Sequence, residues 1–208
     1  MALSSKALQK KRAKKTAKRK DVRKSLASSP QLGLAPDWLA ASRAPIADVL
    51  SPVGLFDVGL GSIWFSRRLP DGRYAVSIFL LDTYCLGVKD AMFGIDSAEV
   101  YRANLEQFRE ASEEEFMDRD PSAVRKLLED AVRFAKGLGF DPHPDYRYAA
   151  MIFGDVEASA CKDEFSFGRD GVPFYVPGSK DSPAMQRKVR QRLEKIDMDP
   201  LGLVLAGS

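Results

Sequence analysis

Between Asp82 and Asp90 the chain reads DTYCLGVKD, an acid, a thiol, a lysine and a second acid within nine positions. The apolar run Phe79–Leu81 precedes them. These side chains therefore emerge where a buried strand ends, a common place for catalytic groups on α/β scaffolds. A nucleophilic Cys85 needs a base, and the chain has one histidine, His143. Cys85 and His143 with an orienting acid, Asp82 or Asp145, would form a nucleophile–base–acid set. Asp82, Cys85, Lys89, Asp90 and His143 are thus the candidate catalytic residues of a hydrolase or nuclease. The competing structural reading makes Cys85 a small buried hydrophobe, Gly87 a turn residue and Lys89-Asp90 surface caps. It is preferred, because Cys-x-x-x-Lys matches no nucleophilic mechanism.

His143 lies between Pro142 and Pro144. Two fixed φ angles would hold the imidazole in place at little entropic cost. That suits a general base, and equally a ring packed on Tyr146 or Phe140 to close a loop. Cys85, Cys161 and His143 with Asp145 or Asp155 could form a tetrahedral zinc set. No two of the soft ligands share a short motif, however, so no metal is expected. Asp82, Asp90, Asp155 and Glu157 could hold magnesium in a nuclease, but acids in that number arise by chance in an acidic body. GLGS at Gly59–Ser62 precedes a strand rather than a helix, the wrong context for a phosphate cradle. No cofactor is expected.

Charge is distributed unevenly. Residues 1–25 hold eleven of the 32 Lys+Arg and one acid, Asp21, a net +10; since the whole chain carries +3, the other 183 residues carry −7. Cations at this density release condensed counterions on meeting phosphates, which makes binding favourable and salt-dependent. The candidate nucleic-acid contacts are Lys10, Lys11, Arg12, Lys14, Lys15, Lys18, Arg19 and Lys20. With no aromatic residue to stack on bases, the arm should show little sequence preference. Lacking a bulky aromatic to insert, it suits RNA better than a membrane. Leu3, Leu8 and Val22 are too few to build a core, and like charges at i, i+4 oppose a free helix. Residues 1–25 are therefore expected to be a flexible basic arm, disordered until a polyanion orders it.

The elements that would position these groups follow from pattern. Ser/Gly/Pro-rich residues 26–36 read as a linker, and residues 37–208 as one globular domain. A short helix is expected around Trp38. Ser62–Arg68 and Tyr74–Leu81 flank Leu69-Pro70-Asp71-Gly72, a strong hairpin signal. Ile78–Leu81 are apolar without alternation, so the second strand should be buried on both faces. Ser97 can cap a helix carrying Val100, Tyr101, Leu105 and Phe108. Asp120-Pro121 starts another helix, with a Val124–Ala135 apolar stripe that stops at Gly137 or Gly139. A short helix over Pro144–Phe153 should end at Gly154. EFSFGRDGVPFYVPG reads as a second hairpin turning at Arg169-Asp170-Gly171. Asp181-Ser182-Pro183 begins a last helix with a basic face of Arg187, Lys188, Arg190 and Arg192. The terminal LGLVLAGS could form an edge strand. The fold class is α+β: a small antiparallel sheet from two hairpins, packed with four or five helices and preceded by a disordered basic arm.

Three blocks, DTYCLGVKDAMFG, GLGFDPHPDYRYA and FGRDGVPFYVPG, resemble a bacterial family of uncharacterised proteins; the likeness covers residues 54–183. It implies a bacterial cytosolic origin and one body holding all three blocks, and transfers no activity. With no secretory h-region and no apolar run of membrane-spanning length, a cytoplasmic protein with free thiols is expected. The sequence points first to a non-enzymatic protein that binds RNA or a ribonucleoprotein through its arm, with a further protein partner possible. The alternatives are the hydrolase or nuclease above, and a subunit of a bacterial protein assembly. The last would expose an apolar patch around Trp64 or Phe174.

Overall fold

Strand patterns and caps in the sequence resolve, in a computed structural model, into a five-stranded antiparallel sheet with helices on both faces, an α+β fold. The structure describes residues 4, 6–12, 36–110, 115–178 and 181–196. Lys14, Lys15, Lys18, Arg19, Lys20, nearly all of the linker and the terminal LGLVLAGS lie outside the described residues.

Chain order sets the layers. Helix α1 covers residues 6–12, and α2 covers Pro36–Ala41. Strand β1 (Ile46–Pro52) is followed by the one-turn α3 (Leu55–Val58). Then come β2 (Leu60–Arg68), β3 (Tyr74–Asp82) and β4 (Gly87–Asp96) as a meander. Helix α4 (Ala98–Glu110) crosses one face and delivers β5 (Phe116–Asp118) to pair with β1 at the far edge. The strand order is β4-β3-β2-β1-β5. Helices α5 (Pro121–Gly137) and α6 (Tyr146–Ala149), with the 3₁₀ turn Ala150–Phe153, cover the other face. Helix α7 (Pro183–Glu194) follows.

The expected caps form. The Asp120 side chain accepts from Ser122 N, and Ser182 Oγ accepts from Met185 N. β3 is buried on both faces, as its unbroken apolar run predicts. Phe79 and Leu81 join Val124, Leu127 and Leu128 on the α5 side, while Val76 and Ile78 pack with Trp64, Tyr101 and Phe108 on the α4 side. Arg67, only 3 % exposed, locks the α6 layer to the sheet. Its fork donates to the carbonyls of Ile152 (2.7 Å), Ala44 (2.6 Å) and Phe153 (2.7 Å).

Three expectations are corrected. The sheet is not built from two sequence-evident hairpins. The Asp170-Gly171 turn forms, with positive φ at both residues, but only the Arg169–Val172 bridge closes it. The flanking backbone bonds elsewhere: Gly168 N donates to Thr83 O and Phe174 N to Tyr84 O. That segment therefore braces the β3–β4 turn instead of pairing with itself. The second hairpin of the sheet is β3–β4, whose turn is the Asp82–Gly87 stretch. Finally, residues 6–12 of the arm, expected to be free, form a helix seated on the body.

Candidate functional site

The seat of α1 is assembled from three body segments. Helix α3 stops at Gly59, whose φ of +68° lets its N–H return to Leu55 O. Any Cβ at Gly59 would fall 2.3 Å from the Tyr84 ring and 2.5 Å from Arg12 Nη2. Glycine thus serves both the turn and the space. β3 ends at Asp82, where Oδ1 accepts from the N–H groups of Tyr84 (3.0 Å) and Cys85 (3.1 Å). This local bonding turns the chain toward β4 and fixes the carboxylate. The other oxygen, Oδ2, lies 3.2 Å from Arg12 Nη1. Arg12 Nε donates to the Val58 carbonyl at 3.0 Å, and the guanidinium lies over the Tyr84 ring, 5.1 Å from its centroid. Arg12 is 1 % exposed and Asp82 0 %. One helical turn earlier, Leu8 packs with Val58, Tyr84 and Phe174. Leu8 and Arg12, four residues apart, are thus one face of α1. Lys6, Ala7, Gln9, Lys10 and Lys11 are exposed on the others.

The candidate catalytic residues do not share a cleft. Asp82 is engaged by Arg12 and by its own turn. Cys85 is fully buried with Leu86, Leu138 and Val189. Burial, then the nearby Asp82 charge, push its thiol far above the ordinary range, so it stays protonated. A buried, neutral thiol is the reverse of an activated nucleophile. Lys89 occupies a bulge: Leu81 pairs with Val88 and Leu80 with Asp90, leaving Lys89 between. Its Nζ reaches Asp181 Oδ2 at 3.2 Å, and that oxygen also accepts from Tyr175 Oη and Gly178 N, each at 2.8 Å. Burial works to raise the Asp181 pKa, but Lys89 and these donors outweigh it and hold the carboxyl below its ordinary value. Lys89 therefore anchors the start of α7.

His143 lies between two of the candidate acids, with Nε2 3.8 Å from Asp90 Oδ1 and Nδ1 3.8 Å from Asp145 Oδ2. His143 Nδ1 accepts from Asp145 N at 3.3 Å, and the His143 backbone N–H donates to Val88 O. The Pro-His-Pro turn thereby closes the α5–α6 loop on β4. Among the described residues no group of three or more His, Cys, Asp or Glu side chains is placed to hold a metal ion. The zinc and magnesium sets considered from sequence are thus not gathered. Asp155 instead lies 3.3 Å from Arg67. An assembly subunit is expected to expose an apolar patch around Trp64 or Phe174; Trp64 does not contribute to one, while Phe174 is half-buried with Val172 exposed nearby. Trp64 is 0 % exposed beneath α4, and Phe174 packs edge-on to Tyr84 under the Arg169 guanidinium.

For the nucleic-acid candidates the outcome is divided. Lys10 and Lys11 face solvent, whereas Arg12 is buried and unavailable to phosphate. The groove around Arg12 and Leu8 was missed from sequence, where Arg12 is one of eleven basic residues in the arm. The only signal was the four-residue spacing of an apolar residue and an arginine. Beside Leu8 the groove opens into a cleft of about 600 Å³, walled by Phe56, Tyr84 and Phe165 and edged by Asp57, Glu164 and Asp170.

Two outcomes follow. Arg12→Ala leaves Asp82 buried without its arginine and is expected to lower stability by about 3–5 kcal/mol in urea unfolding. Adding Asp82→Asn should recover part of that loss. A change below about 1 kcal/mol, the range of surface pairs, would contradict the buried pairing. Second, of the two cysteines only the part-exposed Cys161 is expected to react with a thiol reagent in the native protein. Burial keeps the Cys85 thiol protonated, and denaturant should release the second equivalent. Rapid native labelling of Cys85 would contradict this placement.

No family model, curated protein or solved structure matches the chain.

Proposed function

We propose that the protein binds RNA, or the RNA-rich surface of a ribonucleoprotein, through its basic N-terminal arm, as a non-enzymatic binding protein. The observation that carries this reading is the division of α1 into two faces. Leu8 and Arg12 hold the helix to the body, while Lys6, Lys10 and Lys11 are presented to solvent. Among the described residues of the arm, docking uses one cation and leaves Lys6, Lys10 and Lys11 exposed to phosphates. An anchored cationic helix loses less freedom on binding than a free arm does, which favours affinity. Arg187, Lys188 and Arg190, exposed on α7, add a second cationic surface. The net −7 of the remainder discourages adhesion of the body to the same polyanion and confines contact to these basic faces.

Truncating residues 1–25 would also take Arg12 from Asp82, so charge-neutralising substitutions are the cleaner test. Lys6→Gln/Lys10→Gln/Lys11→Gln is expected to weaken binding to a single-stranded RNA and to flatten the slope of log K against log salt by about 2. Fluorescence anisotropy between low and moderate salt measures both. Arg102→Gln, exposed on α4, should change neither. Full affinity and slope in the triple variant would exclude the docked helix as an RNA contact.

A further inference from the structure

We infer that the groove holding α1 is a recognition site for an arginine-bearing basic segment of another protein, and that residues 6–12 occupy it in cis. The site is made wholly by the body. Asp82 is oriented by the Tyr84 and Cys85 N–H groups, not by Arg12, so Oδ2 is aimed at a cation whichever chain supplies it. The Val58 carbonyl, the Tyr84 ring and the space left by Gly59 complete a seat suited to a planar guanidinium. Lysine carries its charge on one ammonium and lacks the planar fork that reaches the carbonyl and the carboxylate while lying over the Tyr84 ring. Val58, Tyr84 and Phe174 take an aliphatic side chain one helical turn before the arginine.

Charge favours a longer basic ligand than α1. The adjoining cleft is edged by Asp57, Glu164 and Asp170 against one arginine, Arg169, whose Nε lies 4.0 Å from Asp170 Oδ2 and whose guanidinium lies 5.0 Å from the Phe174 ring centroid. The cis occupant buries only Leu8 and Arg12 of its seven residues. The covalent tether adds an effective concentration to that hold. Exchange of α1 for a segment supplied in trans does not depend on the RNA-binding reading. Once α1 leaves, Asp82 loses its cation, and an arginine supplied in trans restores the pair.

The test needs no nucleic acid, so its failure is separable from failure of RNA binding. A fluorescent peptide with the sequence of residues 1–16 is titrated into full-length wild-type and Arg12→Ala protein. The variant, whose own arm cannot fill the seat, is expected to bind the peptide at least about tenfold more tightly than wild type. That gain should vanish when the peptide carries Arg12→Lys, and when the protein also carries Asp82→Asn. Should Arg12→Ala not fold, full-length Leu8→Ala, which keeps the ion pair while weakening cis docking, is titrated under the same criteria. Equal binding by variant and wild type, or a gain that survives either substitution, would overturn the proposal.

Discussion

One buried ion pair, Arg12 with Asp82, organises this molecule. Removing two charges from water is costly, and their mutual attraction compensates only when further hydrogen bonds complete the set. Asp82 meets that condition with two backbone N–H groups, and Arg12 with the Val58 carbonyl and the Tyr84 ring. The same carboxylate thereby shapes the β3–β4 turn, ends the central strand and fixes where the arm lies. A consequence runs on to Cys85: the turn that Asp82 creates points this residue inward, against Leu138 and Val189. The acid that a catalytic reading would pair with a thiolate instead stands beside a thiol kept neutral by burial and by that acid's own charge.

The arm and the body carry opposite charge, and opposite charges could have closed the whole arm onto the protein. Described contacts are narrower than that. One arginine enters a shaped seat, one leucine enters an apolar one, and the adjacent lysines stay in water. Shape at Gly59 and the fixed Asp82 oxygen select a guanidinium, so docking is specific instead of a general neutralisation. This selectivity lets one basic segment serve two ends, attachment through its arginine and phosphate contact through its lysines.

Local signals in the sequence located the elements whose cause is local. The Asp71-Gly72 turn, the Asp120-Pro121 and Ser182-Pro183 starts and the apolar stripe of α5 all depend on neighbours in the chain. β1 and β4 escaped notice because their strand character comes from partners. Ile46–Pro52 is flanked and ended by proline, and Gly87–Asp96 contains two glycines and the polar Lys89-Asp90 pair. Pairing with β2 and β3 overrides those weak preferences. The 164–178 segment misled in the opposite sense: it has hairpin composition, but Thr83 and Tyr84 offer its backbone better partners. At the site, the sequence shows Asp82 as a polar group at the end of a buried strand but not its ion pair with Arg12. Beyond its four-residue spacing from Leu8, nothing in the basic run marks Arg12 as the one to be buried, because the acid that selects it lies 70 positions away.

The central claim is that Arg12 is a buried, bonded residue within an otherwise solvent-facing basic helix. Hydrogen exchange at the arginine side chains, followed by NMR through their Nε–H signals, tests it most directly. Arg12 Nε–H, held on the Val58 carbonyl, should give a resolved signal that exchanges orders of magnitude more slowly than that of exposed Arg102. An Arg12 signal exchanging at the Arg102 rate would contradict the docked helix and the seat inferred from it.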